Sequence, residues 1–104
     1  MQTYKKIRVE VVIEQPAVER LAHLLDEEDH VSGYTIVPVH GGSGVHGLWT
    51  RDGMVTEAEG MMMVICILDD RYKDELLEHL ATFLKNRIGI VTASEVEVLR
   101  NDHF

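Results

Sequence analysis

Seven consecutive residues, Gly41-Gly42-Ser43-Gly44-Val45-His46-Gly47, combine four glycines with a hydroxyl and an imidazole and show no apolar pattern. A loop of this kind lets backbone N–H groups approach an anion closely. No helical pattern opens after it and no Lys-Ser/Thr pair ends it, so it is neither a P-loop nor a Rossmann turn. A plain flexible connection suits the same residues. The charge around it adds information. The chain carries 18 Asp+Glu against 10 Lys+Arg, a net charge of −8, yet no acid occurs from His30 to Arg51. About four would fall there at the chain's average density. In an acidic protein such a gap is where an anion sits without repulsion. Gly44, His46 and Arg51 are therefore candidates for holding a small anion. Trp49, two residues before Arg51, either packs on a partner or ligand or folds back on its own domain.

Other chemistries find less support. The histidines, His23, His30, His40, His46, His79 and His103, form no CxxC, HxH or HExxH pattern. Only His40 and His46 share the glycine-rich segment, and they are the candidates for a metal. His23 and His79 are expected on helix surfaces. No serine or cysteine sits beside a recognisable base, and the single cysteine, Cys66, lies in an apolar run and is expected in the core. Net negative charge disfavours general binding to a nucleic-acid backbone. The longest apolar run is far shorter than a membrane span, and the N-terminus lacks a signal-peptide pattern, so a cytoplasmic location is expected.

The elements that would position these residues follow from periodicity. The 104 residues fit one domain, 1–104, and 45% hydrophobic with 27% charged residues suit a globular chain. Ile7, Val9, Val11 and Ile13 alternate with charged residues and predict a strand over 6–14. Pro16 suits a first helical turn, and Val18, Leu21, Ala22 and Leu25 predict a helix to about residue 28. The acids at 26–29 oppose its dipole and are expected in solvent without a function. Residues 33–40 predict a second strand that Pro38 marks as an edge or bulge. Irregular structure is expected from 41 to about 60. The run at 61–68 predicts a central strand, an Asp69-Asp70 cap begins a helix to about residue 86, and residues 90–99 predict the last strand. The fold expected is α+β: a ferredoxin-like βαββαβ antiparallel sheet with two helices on one face and a long loop between the second and third predicted strands. Val12, Val91, Ala93 and Leu99 are expected on the other face, which oligomerisation would cover.

Three segments together resemble the PII signal-transduction family. Ser32-Gly33-Tyr34-Thr35-Ile36-Val37 looks like that family's start of the second strand, Val39-His40-Gly41 opens a long T-loop (about 41–60), and Arg87-Ile88-Gly89 looks like its B-loop. Residues 96–100 look like its final strand with a basic residue. The resemblance runs from Ile7 to Arg100. It implies a homotrimer, not an enzyme, that binds adenine nucleotide in clefts between subunits. Its T-loop then docks onto a protein target such as a transporter or enzyme. The nucleotide-binding residues implied are Gly33, Tyr34, Thr35, His40, Gly41, Gly42, Ser43, Arg87, Ile88, Gly89, Ile90 and Arg100. No tightly bound cofactor is implied.

The departures narrow this. Gly89 runs into Ile90-Val91 without the family's Gly-Asp-Gly-Lys, which favours ADP or AMP over ATP. Residues 41–60 contain no tyrosine for uridylylation and no glutamine of the kind associated with 2-oxoglutarate. The chain is in this respect similar to the carboxysome-associated PII branch, which implies bicarbonate as a further ligand. The alternative is a trimeric metal-tolerance protein of the same fold using His40 and His46.

Overall fold

The computed structural model describes residues 1–44, 47–50 and 60–101, with the backbone alone for 47–50. Strand β1 spans Tyr4–Glu14 and buries Ile7, Val9, Val11 and Ile13 on one face, as the alternation requires. Pro16 sits in a 3₁₀ turn at Gln15–Ala17, where its missing N–H costs no hydrogen bond. Helix α1 follows at Val18–Glu27 and buries Leu21 and Leu25. Strand β2 is Thr35–Val39. Two short strands, β3 and β4, come next and are described below. Strand β5, Met61–Leu68, alternates inward at Val64, Cys66 and Leu68. Asp69 then caps a 3₁₀ turn at Asp70–Tyr72 by accepting from the Arg71 N–H at 3.0 Å, and helix α2, Lys73–Leu84, buries Leu76 and Leu80. Strand β6 is Gly89–Val98.

The sheet order is β2-β5-β1-β6, with every pairing antiparallel. The buried leucines of both helices and the inward residues of β1 and β5 form one core, so both helices cover the same face. Each fully buried leucine stabilises this arrangement by roughly 1.5–3 kcal/mol. Pro38 lies on β2, an edge strand of the sheet, where a missing donor is tolerated.

Two expectations change. Residues 41–44 and 47–50 are not irregular: strands β3 (Gly41–Gly44) and β4 (Gly47–Thr50) pair antiparallel, with Gly44 opposite Gly47. The ladder consists of backbone hydrogen bonds, so it needs no apolar alternation and leaves none to read. The second change concerns the sheet face away from the helices. Residues directly opposite in an antiparallel ladder share a face. Val91 pairs with Val11 and Ala93 with Val9, which places both on the helix face, and Leu99 lies beyond the strand. The far face instead carries Val12 with Val37, Val39, Met63, Ile65, Ile67 and Ile90. In its middle Arg8 meets Glu10 at 2.9 Å, while the Arg8 Nε is buried without a hydrogen-bond partner among the described residues.

Gly60 joins the T-loop stretch to β5 with a φ of 111°, a left-handed conformation that glycine adopts without a Cβ clash. Its carbonyl accepts from the Gln15 N–H at 3.1 Å and ties this return point to the end of β1.

Candidate functional site

The candidate residues fall at two ends of the sheet. At the first end β1 begins, β5 and β6 finish and β2 starts. A cleft here is lined by Lys6, His30, Ser32, Asp69, Arg71, Tyr72, Val98 and Arg100, among others. Gly33, Tyr34 and Thr35 follow directly from Ser32. Tyr34 is half-buried and packs against the core, whereas Thr35 is exposed.

The electrostatics of this end follow from the turn after β5. The Asp69 carboxylate accepts from the Arg71 backbone N–H at 3.0 Å and from its Nε at 3.2 Å, and lies 3.8 Å from the Lys6 Nζ. The Arg71 backbone bond, then its side chain, hold the Asp69 carboxyl below the ordinary carboxylate value. Three cations, Lys6, Arg71 and Arg100, thus share the cleft with a single carboxylate, a balance suited to an anion. Beside them the His30 and Tyr72 rings stack at 3.4 Å between centroids, with the Arg71 guanidinium carbon 5.2 Å from the Tyr72 ring centre. Lys6, Arg71, His30 and Tyr72 escaped the sequence reading. Lys6 and Arg71 lie 65 positions apart in the numbering, and only the β1–β5 register brings them together.

At the second end β2 and β1 finish while β5 and β6 begin. His40, Gly41, Gly42, Ser43 and Gly44 extend from the β2 edge. Arg87 and Ile88 lead into β6 at the other edge, and Gly89 and Ile90 open it. Pro38, Met62, Ile13 and Gly89 form one row across the sheet. Three strand spacings put the two groups ~14 Å apart.

The turn between α2 and β6 is built locally. Asn86 takes a left-handed φ of 67°, a common way to end a helix. The Arg87 Nε donates to the Phe83 carbonyl at 2.9 Å and its guanidinium carbon lies 4.4 Å from the Phe83 ring centre. The Ile88 N–H donates to Glu14 at 3.4 Å, and Ile88 and Ile90 present apolar side chains to solvent, each 59% exposed. Gly89 is explained by its own chain: a Cβ there would meet the Val12 carbonyl oxygen at 2.7 Å.

Arg87 and Arg100 therefore do not converge within one chain. The ten-residue β6 lies between them, a run of ~30 Å. His46 and Arg51, the side chain of Trp49 and most of the T-loop lie outside the described residues. His40 is exposed at the end of β2, and among the described residues no cluster of metal-ligating groups includes it. No helix among them is long and apolar enough to cross a membrane.

A family model described as nitrogen regulatory protein P-II matches residues 5–103. No curated protein matches the sequence significantly. Among solved structures, the chain is similar to CPII, a nitrogen regulatory PII-like protein from Thiomonas intermedia K12 bound to ADP, AMP and bicarbonate. Identity is 29%, the TM-score is 0.83, and the match covers 95% of this chain and 92% of that one. The apo form of CPII aligns at 26% identity and a TM-score of 0.72, covering 93% and 95%. A PII-like signaling protein from Thermus thermophilus shares the fold at 22% identity and a TM-score of 0.73, covering 94% and 93%.

Proposed function

Because the chain belongs to the nitrogen regulatory protein P-II family, whose members are non-enzymatic regulators, we propose that it is a homotrimeric sensor of ADP or AMP. Bicarbonate is its second ligand, and the segment 41–60 reports the bound state to a protein target such as a transporter or enzyme. The observation that carries this reading is the division of the candidate residues between opposite ends of one sheet. Ser32–Thr35 with Arg100 and Gly41–Ser43 with Arg87–Ile90 are too far apart in one chain to hold one nucleotide. A neighbouring copy supplies the missing half. The aliphatic residues of β2 and β5 on the helix-free face of the sheet, and the Arg8 Nε that is unpartnered among the described residues, support packing of that kind. CPII, with ADP, AMP and bicarbonate bound, supports the choice of ligands.

In the complete cleft the adenine lies between the Gly33–Thr35 backbone of one subunit and Arg87–Ile90 of the next. The phosphates face His40, Gly41, Gly42 and Ser43, and Arg100 and Arg87 supply charge-assisted hydrogen bonds. Bicarbonate occupies the acid-free stretch at Gly44, His46 and Arg51.

Calorimetry with ADP, AMP and ATP, each with and without bicarbonate, tests this. A charge-assisted hydrogen bond contributes roughly 1.5–3 kcal/mol, so Arg100→Ala weakens ADP roughly 10- to 150-fold. Arg87→Ala does the same, and comparing Arg87→Lys separates lost charge from the lost Phe83 contact. ATP gains little over ADP. Light scattering gives about three times the 11.8 kDa chain mass. A clean monomer, ATP bound a hundredfold tighter than ADP, or ADP binding indifferent to both arginines overturns the placement.

A further inference from the structure

A second concave surface lies between the helices, away from the sheet face assigned above to the subunit interface. Glu27, Glu28, Asp29 and Glu75 line it together with His30 and His79, and no lysine or arginine does so among the described residues. One ligand atom from each of Glu28, Glu75 and His79 lies within 4.8 Å of the other two. Glu75 and His79 are four residues apart on α2, which puts both on one helix face. Glu28 comes from the other helix, as the residue that ends α1. We propose that Glu28, Glu75 and His79 form a divalent transition-metal site, of the zinc class, that clamps the end of α1 to α2 and is separate from the nucleotide cleft.

Three features favour a cation over a simple ion pair. His79 Nδ1 contacts Glu28 Oε1, which accounts for two of the three groups. The Glu75 carboxylate converges on the same point, where it attracts a charged His79 but repels the Glu28 carboxylate, whereas a divalent ion engages all three donors. Glu28 also lies at the C-terminal end of α1, where the helix dipole already disfavours negative charge. Finally, the groups differ in freedom to move. The Glu28 side chain is 16% exposed and comparatively fixed, while that of His79 is 51% exposed and Glu75 is exposed. The α2 pair can therefore close on an ion held at Glu28, to the ~2.0–2.2 Å that nitrogen and carboxylate donors require.

The donor set selects the ion. One imidazole with two carboxylates suits zinc, cobalt or nickel, while magnesium and calcium prefer all-oxygen shells. Three protein ligands leave a coordination position open to water or to a further ligand. These residues are distinct from His40 and His46.

The test is calorimetric titration of EDTA-treated full-length protein with zinc chloride, in a buffer free of phosphate and bicarbonate. Glu75→Gln is the decisive variant, because it leaves the Glu28–His79 pair intact and replaces one carboxylate donor with a weaker neutral amide oxygen. The expected result is one zinc per chain, weakened tenfold or more by Glu75→Gln and by His79→Gln, and unchanged by His40→Ala and His46→Ala. ADP affinity stays unchanged in Glu75→Gln, so failure here is distinguishable from failure of the nucleotide reading. Circular dichroism confirms that each variant is folded. Absence of stoichiometric zinc binding overturns the proposal. So does zinc binding that survives Glu75→Gln, or that disappears with the loop histidines instead.

Discussion

Replacing Gly89 with alanine sets two physical effects against each other at one atom. Glycine within a strand costs roughly 0.5–1 kcal/mol relative to alanine, because more backbone freedom is lost on folding. On that ground alone Gly89→Ala stabilises the protein, since Gly89 has no positive φ to forbid a side chain. The structure reverses the sign. The new Cβ would lie 2.7 Å from the Val12 carbonyl oxygen and 3.1 Å from the Leu84 Cδ2. Leu84 can rotate away, but the Val12 oxygen belongs to β1, which is held by ladders on both sides. Overpacking of this kind costs roughly 1–3 kcal/mol, so the net effect is a loss of roughly 0–2.5 kcal/mol, about 1 kcal/mol at mid-range. At an m-value of about 1.5 kcal/mol/M, a loss of about 1 kcal/mol lowers the urea midpoint by about 0.7 M. The measurement compares both proteins at one fixed concentration, because assembly contributes to apparent stability. Adding Leu84→Ala relieves only the 3.1 Å contact and restores no stability. A raised midpoint for Gly89→Ala refutes the reasoning.

Two further outcomes follow from the turn and the core. Asp69 titrates below its ordinary value of 3.8 in the folded chain, so its contribution is present above that pH and is lost as pH falls through the lower folded value. The stability gap between wild type and Asp69→Asn therefore shrinks in acid urea titrations below about pH 4, and a gap that stays constant to about pH 2 contradicts the bond to Arg71. Burial pushes the Cys66 thiol up to about 11, so it stays protonated at about pH 8 and reacts with a disulfide reagent only as the protein opens. Labelling as fast as in urea-unfolded chain disproves its burial.

Periodicity alone made the framework legible. The alternation of Ile7, Val9, Val11 and Ile13, the helical stripes that include Leu25 and Leu80, and the apolar run at 61–68 each describe how one element meets one core. Such patterns are local consequences of burial. The short motifs at 32–37 and 87–89 were equally readable and pointed to the family that the match over residues 5–103 establishes. The β3–β4 hairpin was not readable, because a ladder of backbone hydrogen bonds leaves little trace in side-chain types. The positions of Val91 and Ala93 depended on strand register, where a one-residue shift exchanges the two faces of a sheet.

Sequence by itself thus determined which residues are apolar, which segments are extended or helical, and where acids are missing. Tertiary structure alone decided which distant residues meet. It brought Lys6 to Asp69 and Arg71, and it sent Arg87 and Arg100 to opposite ends of β6. It also drew Glu28 onto His79 from a run of acids expected only to face solvent. Each of these meetings depends on long-range antiparallel pairing or on helices docking across the sheet. No pattern within a few residues of sequence encodes such a contact.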